Sequence, residues 1–181
     1  NTRGARVSAL IEPTTKLKVR LSAAAQNIER NGRASTEYDM ATGHPVYGDL
    51  TRHLDTSEAY TVRTRLSSAD VEYDFGWARV NAIASAQRFD SGTGLDATAL
   101  LAGAIPGLDV FGLDNTISLR TVTQELRLTS QPGTIEWLLG YYRNREVGRV
   151  DQRLWGKPAA GADMTLQGNG QPSSYREQAV Y

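Results

Sequence analysis

Residue polarity alternates with a period of two along much of this chain, and few architectures accept that pattern over runs of about ten residues. Between 16 and 26 the odd positions Leu17, Val19, Leu21, Ala23 and Ala25 are apolar, and the even positions carry Lys16, Lys18, Arg20, Ser22 and Gln26. Between 77 and 88, Ala78, Val80, Ala82, Ala84 and Ala86 alternate with Arg79, Asn81, Ser85 and Gln87. Successive side chains of a strand point to opposite sides, so each run predicts a strand with one apolar and one wet face. Between 60 and 73 the apolar set starts on even positions (Tyr60, Val62, Leu66) and ends on odd ones (Ala69, Val71, Tyr73), which predicts a bulge near Ser67 and Ser68.

Seven strands are predicted, at 3–11, 16–30, 57–73, 76–88, 116–129, 134–147 and 174–181. The connections alternate: 12–15, 74–75 and 130–133 are tight, whereas 31–56, 89–115 and 148–173 are long. Membrane barrels have this pattern because one end carries turns and the other long loops, and a soluble sandwich has no reason for it. Most of the predicted strands also exceed the roughly 5–6 residues usual in soluble sheets. Tyr73, Phe75, Trp77 and Trp137 cluster beside the tight turns, where a girdle at headgroup level would sit. Gln131, Pro132 and Gly133 read as a type II turn with Gly133 at positive φ. A hairpin closed there puts Leu126, Leu128, Trp137 and Leu139 on one face and Glu125, Arg127 and Glu136 on the other, with Gln124 a misfit on the apolar face.

Composition narrows the function. Lys plus Arg and Asp plus Glu are each 20, so no net field draws nucleic acid. The absence of cysteine removes disulfides, thiolate zinc sites and a cysteine nucleophile. The longest apolar run, 99–105, is far short of the roughly 20 residues of a membrane-spanning helix. A mean hydropathy of −0.42 does not separate a soluble sheet from a barrel with a wet lumen. The chain opens without Met or an apolar leader, and its start reads as a cut within a longer protein.

TVTQELRLTS from Thr121, followed by IEWLLGYYRNRE from Ile135, resembles a strand pair of the TonB-dependent outer-membrane receptors. PTTKLKVRLSA from Pro13, SSADVEYD from Ser67 and YREQAVY from Tyr175 are similar to neighbouring hairpins of the same barrel, in the same order. The resemblance implies an all-β fold: an antiparallel meander of about seven long strands within a transmembrane β-barrel of about 22 strands. Residues 1–181 would then be a single segment of that barrel domain, with no plug domain. It also implies a bacterial outer-membrane transporter and receptor, not an enzyme, that takes up siderophore, cobalamin, haem or glycan ligands. Its implied partners are outer-membrane lipid, a small-molecule or metal-chelate ligand, and the TonB complex through a plug region outside this chain. No cofactor or bound metal is implied. A soluble all-β binding module and a passive porin-like channel are the alternatives.

Charges on the wet faces, Lys18, Arg20, Arg79, Glu125, Arg127 and Glu136, are expected to face the lumen. His44, Tyr47, His53 and Trp155 lie in the long connections and are the candidates for ligand contact. His44 and His53, near Asp49 and Asp55, form no close pair and read as solvated loop residues before they read as a metal or base site. Asp70, Glu72 and Asp74 alternate along a strand and read as lining of a wet interior. GTGLDA from Gly92, with Asp114 downstream, imitates a dinucleotide fingerprint, but the strand before it is half polar, unlike a Rossmann strand. That segment reads as a glycine-softened loop with a short apolar turn near 97–105. No GxSxG nucleophile elbow occurs.

Overall fold

The computed structural model describes residues 1–32, 36–49 and 51–181. The chain forms one sheet of seven antiparallel strands in sequence order: β1 (Thr2–Thr14), β2 (Leu17–Asn31), β3 (Ala59–Asp74), β4 (Ala78–Asp96), β5 (Val110–Ser130), β6 (Leu138–Lys157) and β7 (Met164–Val180). A single helical turn, α1 (Thr98–Leu101), follows β4. The sheet is an open meander with β1 and β7 at its edges. Both prolines that fall inside strands, Pro13 and Pro172, are in these edge strands, where a missing N–H breaks no ladder on the free side.

Strand length is the first departure from the predicted pattern. β5 has 21 residues and β6 has 20, against predicted spans of 116–129 and 134–147. At about 3.4 Å per residue β5 runs roughly 70 Å, about twice what a tilted membrane strand needs. The extra length comes from 89–96, 110–115, 148–157 and 164–173, all predicted as connections. Their Gly and Asp content suggests loops, but ladder hydrogen bonds to neighbouring strands satisfy the backbone there. The connection 158–163 is consequently no longer than 131–137, and the strict alternation of short and long connections is not kept.

The turns show how local chemistry ends each strand. Thr14 Oγ1 accepts from the N–H groups of Lys16 and Leu17, at 3.2 and 3.1 Å, and closes β1 onto β2. Between β3 and β4, Asp74 Oδ1 accepts from Gly76 N at 2.7 Å, and Gly76 has a φ of 90° that favours glycine. Gly133 lacks the positive φ of the expected type II turn, and strand pairing resumes only at Leu138. Ser130 instead reaches Trp137: its N–H donates to the Trp137 carbonyl at 2.9 Å and its Oγ accepts from Trp137 N at 3.0 Å. Glu136, expected on the lumen side of a strand, therefore lies in the connection. Gly76→Ala is expected to cost about 1 kcal/mol and Gly133→Ala less than about 0.5 kcal/mol, measured by equilibrium unfolding. Equal costs would mean that the second turn is the strained one after all.

The phase change at Ser67 and Ser68 is not a bulge. β3 pairs with β2 and with β4 without a register shift, through Ser22↔Ser68, Ala23↔Ser67 and Ala24↔Leu66 on one side and Ser67↔Ala86 on the other. The backbone is regular, and the polarity of the two faces changes along it.

Little of this sheet is packed. Among the described residues the buried hydrophobic side chains are Val62, Ala78, Ala97 and Phe111. The accessible surface is 12633 Å², whereas a globular protein of 19.8 kDa exposes about 8,600 Å². Leu10, Leu21, Leu126, Leu139 and Tyr141 are all exposed. Most apolar side chains of the sheet are therefore not shielded by other parts of the chain.

Candidate functional site

Directly paired residues of an antiparallel sheet point to the same side, so the register sorts every side chain onto one of two faces. Near the tight turns the first face is apolar. Leu17, Val19, Leu21 and Ala23 of β2 stand beside Tyr73, Val71, Ala69 and Ser67 of β3. These rows continue through Val80, Ala82, Ala84 and Ala86 of β4 into Leu128, Leu126, Gln124 and Val122 of β5. Ile11, Ala9 and Val7 of β1 extend the band at one edge, and Leu139 and Tyr141 of β6 at the other. Leu126, Leu128 and Leu139 share this face as expected, whereas Trp137, expected with them, lies before β6 and outside the paired rows. Gln124, the expected misfit, pairs with Arg143 and Ala84.

Four aromatic rings follow one another along the turn end of the sheet. Tyr73 and Phe75 lie edge to face with centroids 4.7 Å apart, Phe75 and Trp77 are 6.3 Å apart, and Trp77 and Trp137 are 6.4 Å apart. The last contact joins two separate turns.

The second face is polar over the same height. Lys18, Glu72, Asn81 and Arg127 form one cross-strand row, and Arg20, Asp70, Ile83, Glu125 and Tyr142 the next. Lys18, Arg20, Arg79, Glu125 and Arg127 therefore share a face. Asp70, Glu72 and Asp74 do not converge on an empty point: Asp70 accepts from Asn81 Nδ2 at 2.7 Å, while Arg79 lies 3.7 Å from both Glu72 and Asp74. Glu125 accepts from Arg127 Nε at 2.6 Å and from the Tyr181 hydroxyl, which ties the chain's last residue to the face.

Further from the tight turns the two faces exchange character. The first face becomes cationic, with Arg65 paired to Arg88 and Arg88 to Arg120, then Arg63, Asp90, Ser118 and Arg149 in the following row. The second face becomes apolar, with Phe89 and Leu119 in one row, then Ile28, Val62, Ile117 and Val150 in the next, and finally Leu113 and Leu154.

At this end of the sheet the connections are tied to the strand ends. Glu58, whose side chain is fully buried, receives both terminal guanidinium nitrogens of Arg52, at 2.8 and 3.2 Å, and the Asp96 N–H at 3.1 Å. Asp96 Oδ2 accepts from the N–H groups of Asp55 and Thr56, and Asp96 Oδ1 from Thr98 N at 2.9 Å. Thr98 Oγ1 joins both backbone groups of Phe111. A polar clasp therefore fixes 52–58 and α1 to the ends of β4 and β5. Burial pushes the Asp96 carboxyl up, but the hydrogen bonds from Thr98, Thr56 and Asp55 outweigh it and hold it below the usual carboxylate range. A lowered folded pKa gives stability that is complete above the ordinary Asp value of about 3.9 and is lost as pH falls through the folded value. The amides of Asp55, Thr56 and Thr98 are accordingly expected to exchange faster below about pH 4, ahead of the β4–β5 ladder. Simultaneous loss of both would show that the clasp is not the acid-sensitive part.

The expected ligand-contact residues are only partly brought together. Tyr47 and His53 are neighbours with ring centroids 6.0 Å apart, and His53 Nε2 lies 3.3 Å from Asp55. His44 belongs to a separate turn, where its carbonyl accepts from Asp39 N at 2.9 Å and Asp39 Oδ1 caps Ala41 and Thr42. Trp155 is not in a loop at all. It sits in β6 opposite Gly112, and its indole occupies the space where a side chain at Gly112 would be. GTGLDA is strand as far as Asp96, and Asp114 lies 3.8 Å from Arg153, so that segment forms no nucleotide cradle. Sequence reasoning missed the clasp and the arginine rows because both are assembled from separated strands. No family model, curated protein or solved structure matches the chain.

Proposed function

We propose that the chain is a section of the wall of a transmembrane β-barrel in the bacterial outer membrane, of the TonB-dependent transporter type. The apolar band of the first face carries this reading. It is about seven residues deep along β2, from Leu17 to Ala23, and the aromatic border beyond Leu17 extends it toward the roughly 9–11 residues with which a tilted strand crosses a bilayer. Its side chains are exposed to whatever surrounds the sheet, and a charged face lies behind them. A hydrocarbon surround on one side and a wet lumen on the other match both. The chained aromatics border the band where a girdle would be.

The open edges favour a larger assembly. Unpaired backbone groups in hydrocarbon cost several kcal/mol each, so β1 and β7 require further strands, and seven strands make about a third of a 22-stranded wall. On this reading the polar rows of Lys18, Arg20, Glu125 and Arg127 line the lumen, and the connection with His44, Tyr47 and His53 contributes to ligand capture outside the cell. The transport chemistry belongs to the intact protein and to its energised plug, and the ligand is a small molecule or metal chelate.

The test is solvent dependence. Expressed alone, the chain is expected to aggregate in plain buffer and to acquire strand circular dichroism and protease resistance only with detergent or lipid. A soluble, monodisperse monomer that melts cooperatively in buffer would replace this reading with a soluble all-β binding module. In whole cells carrying the intact protein, shortening the His44–His53 connection is expected to weaken ligand binding, while collapse of the proton gradient stops accumulation and leaves binding intact. Unchanged accumulation without the gradient would favour a passive channel.

A further inference from the structure

We propose that the arginine rows of the first face bind a phosphate-bearing anionic lipid, with its headgroup on Arg65, Arg88 and Arg120 and an acyl chain in the depression beside them; this rests on the membrane-wall reading above. Three arginines stand directly opposite one another across β3, β4 and β5. Like charges in that position repel, so a fold that keeps them needs an anion nearby. One carboxylate serves the three: Asp90 is bonded to Arg88 at 2.7 Å and its charge also acts on Arg120 and Arg65, which make no ion pair of their own among the described residues. The adjoining row places Arg145 opposite Arg176 and adds to the same field, in a chain whose formal net charge is zero.

A second observation sets the ligand's other half. Against this row lies an open depression of about 650 Å³, walled by Val7 and Val122 and floored by Ala23, Ala25 and Ala86, with Arg65, Arg88 and Arg120 on its rim. That size falls in the range of small-molecule sites. Alternation supplies the shape, since small side chains on three neighbouring strands leave a trough among longer ones. A guanidinium fork matches phosphate oxygens in a bidentate manner, and side chains of directly paired residues start only about 5 Å apart, close enough to share one headgroup. A free anion would use the rim and leave the trough idle. A lipid uses both, and it arrives at this height because the arginines sit where the apolar band ends.

The experiment uses the full chain in non-ionic detergent, with phosphatidic acid, phosphatidylcholine and inorganic phosphate as separate probes and bound lipid counted by native mass spectrometry. Phosphatidic acid is expected to be retained over phosphatidylcholine. The variant R65Q/R88Q/R120Q should lower its affinity about tenfold or more, and R65K/R88K/R120K should restore part of it. Ala86→Phe, which fills the trough, should weaken phosphatidic acid and leave inorganic phosphate unchanged. Wild-type retention by the glutamine variant would overturn the proposal, as would inorganic phosphate competing equally with lipid and indifference to Ala86→Phe. If the triple variant does not refold, R120Q with R20Q on the other face as control decides the same point. Should the chain prove soluble without detergent, short-chain phosphatidic acid in buffer still tests the arginine site, so the two readings fail separately.

Discussion

Arginine introduced at Leu21 or Ala84 is expected to destabilise the protein in lipid vesicles by about 2–4 kcal/mol, the penalty for a cation at the midplane of a barrel wall. Both positions lie in the same cross-strand row, with Ala69 between them, and on β2, β3 and β4 that row is the middle of the apolar band; it turns polar only at Gln124 and Arg143 on β5 and β6. Leu128→Arg, at the turn-side border near the aromatic chain, should cost about 1 kcal/mol or less, because the side chain reaches headgroups. Ser85→Arg, one residue from Ala84 but on the other face, is the sharper control and should also stay within about 1 kcal/mol. Urea unfolding of vesicle-refolded protein measures all of these. Similar losses at Ala84 and Ser85 would mean that the first face does not meet hydrocarbon.

Removal of Glu58 should have an effect as large, confined to the other end of the sheet. Its carboxylate is fully buried and holds an Arg52 side chain that is only 16% exposed, as well as the Asp96 N–H. Deleting one partner of such a pair strands the other, at about 3–5 kcal/mol. Glu58→Ala is thus expected to release 52–58 and α1, with faster amide exchange at Asp96 and Thr98, while Val19 and Leu126 in the apolar band keep their protection. Glu58→Gln, which retains the shape and one acceptor, should lose less. Uniform loss across both ends would show that the clasp and the band are one cooperative unit.

The meander and its β-class were legible because Leu17 to Ala25 and Ala78 to Ala86 alternate with only Ala24 and Ile83 out of phase, and alternation is set by backbone geometry alone. Reading the phase change at Ser67 as a bulge assumed that a face keeps one character from end to end. The structure has a regular backbone on which each face serves two environments in succession, so Val62 and Val71 lie on opposite sides and are both correctly apolar. Segments such as 92–96 and 164–173 read as loops because Gly, Asp, Asn and Pro have low strand propensity. They pair because their neighbours supply partners, as where Gly112 yields its side-chain space to Trp155. The row of Arg65, Arg88 and Arg120 had no signal in the linear chain, since register across three strands creates it. Glu58 gave none either, as an acidic residue at the start of a predicted strand is ordinarily solvated.

The exchange of polarity between the faces gives the sheet a float line. Sliding it along its strands by one residue pair, roughly 7 Å, would in one direction draw Arg65, Arg88 and Arg120 toward hydrocarbon and push Val80 and Leu128 out at the turn end, and in the other lift Ala86 and Val122 into water while pulling Asp74 and its turn into hydrocarbon. On the membrane-wall reading both displacements cost free energy, so the sheet's height in a bilayer would be a minimum with a restoring force on each side. That height is written into side chains of the wall itself and needs no partner protein to set it. A loop insertion above the line leaves it unmoved, whereas two residues added to every strand below the line would make the sheet ride deeper by their length.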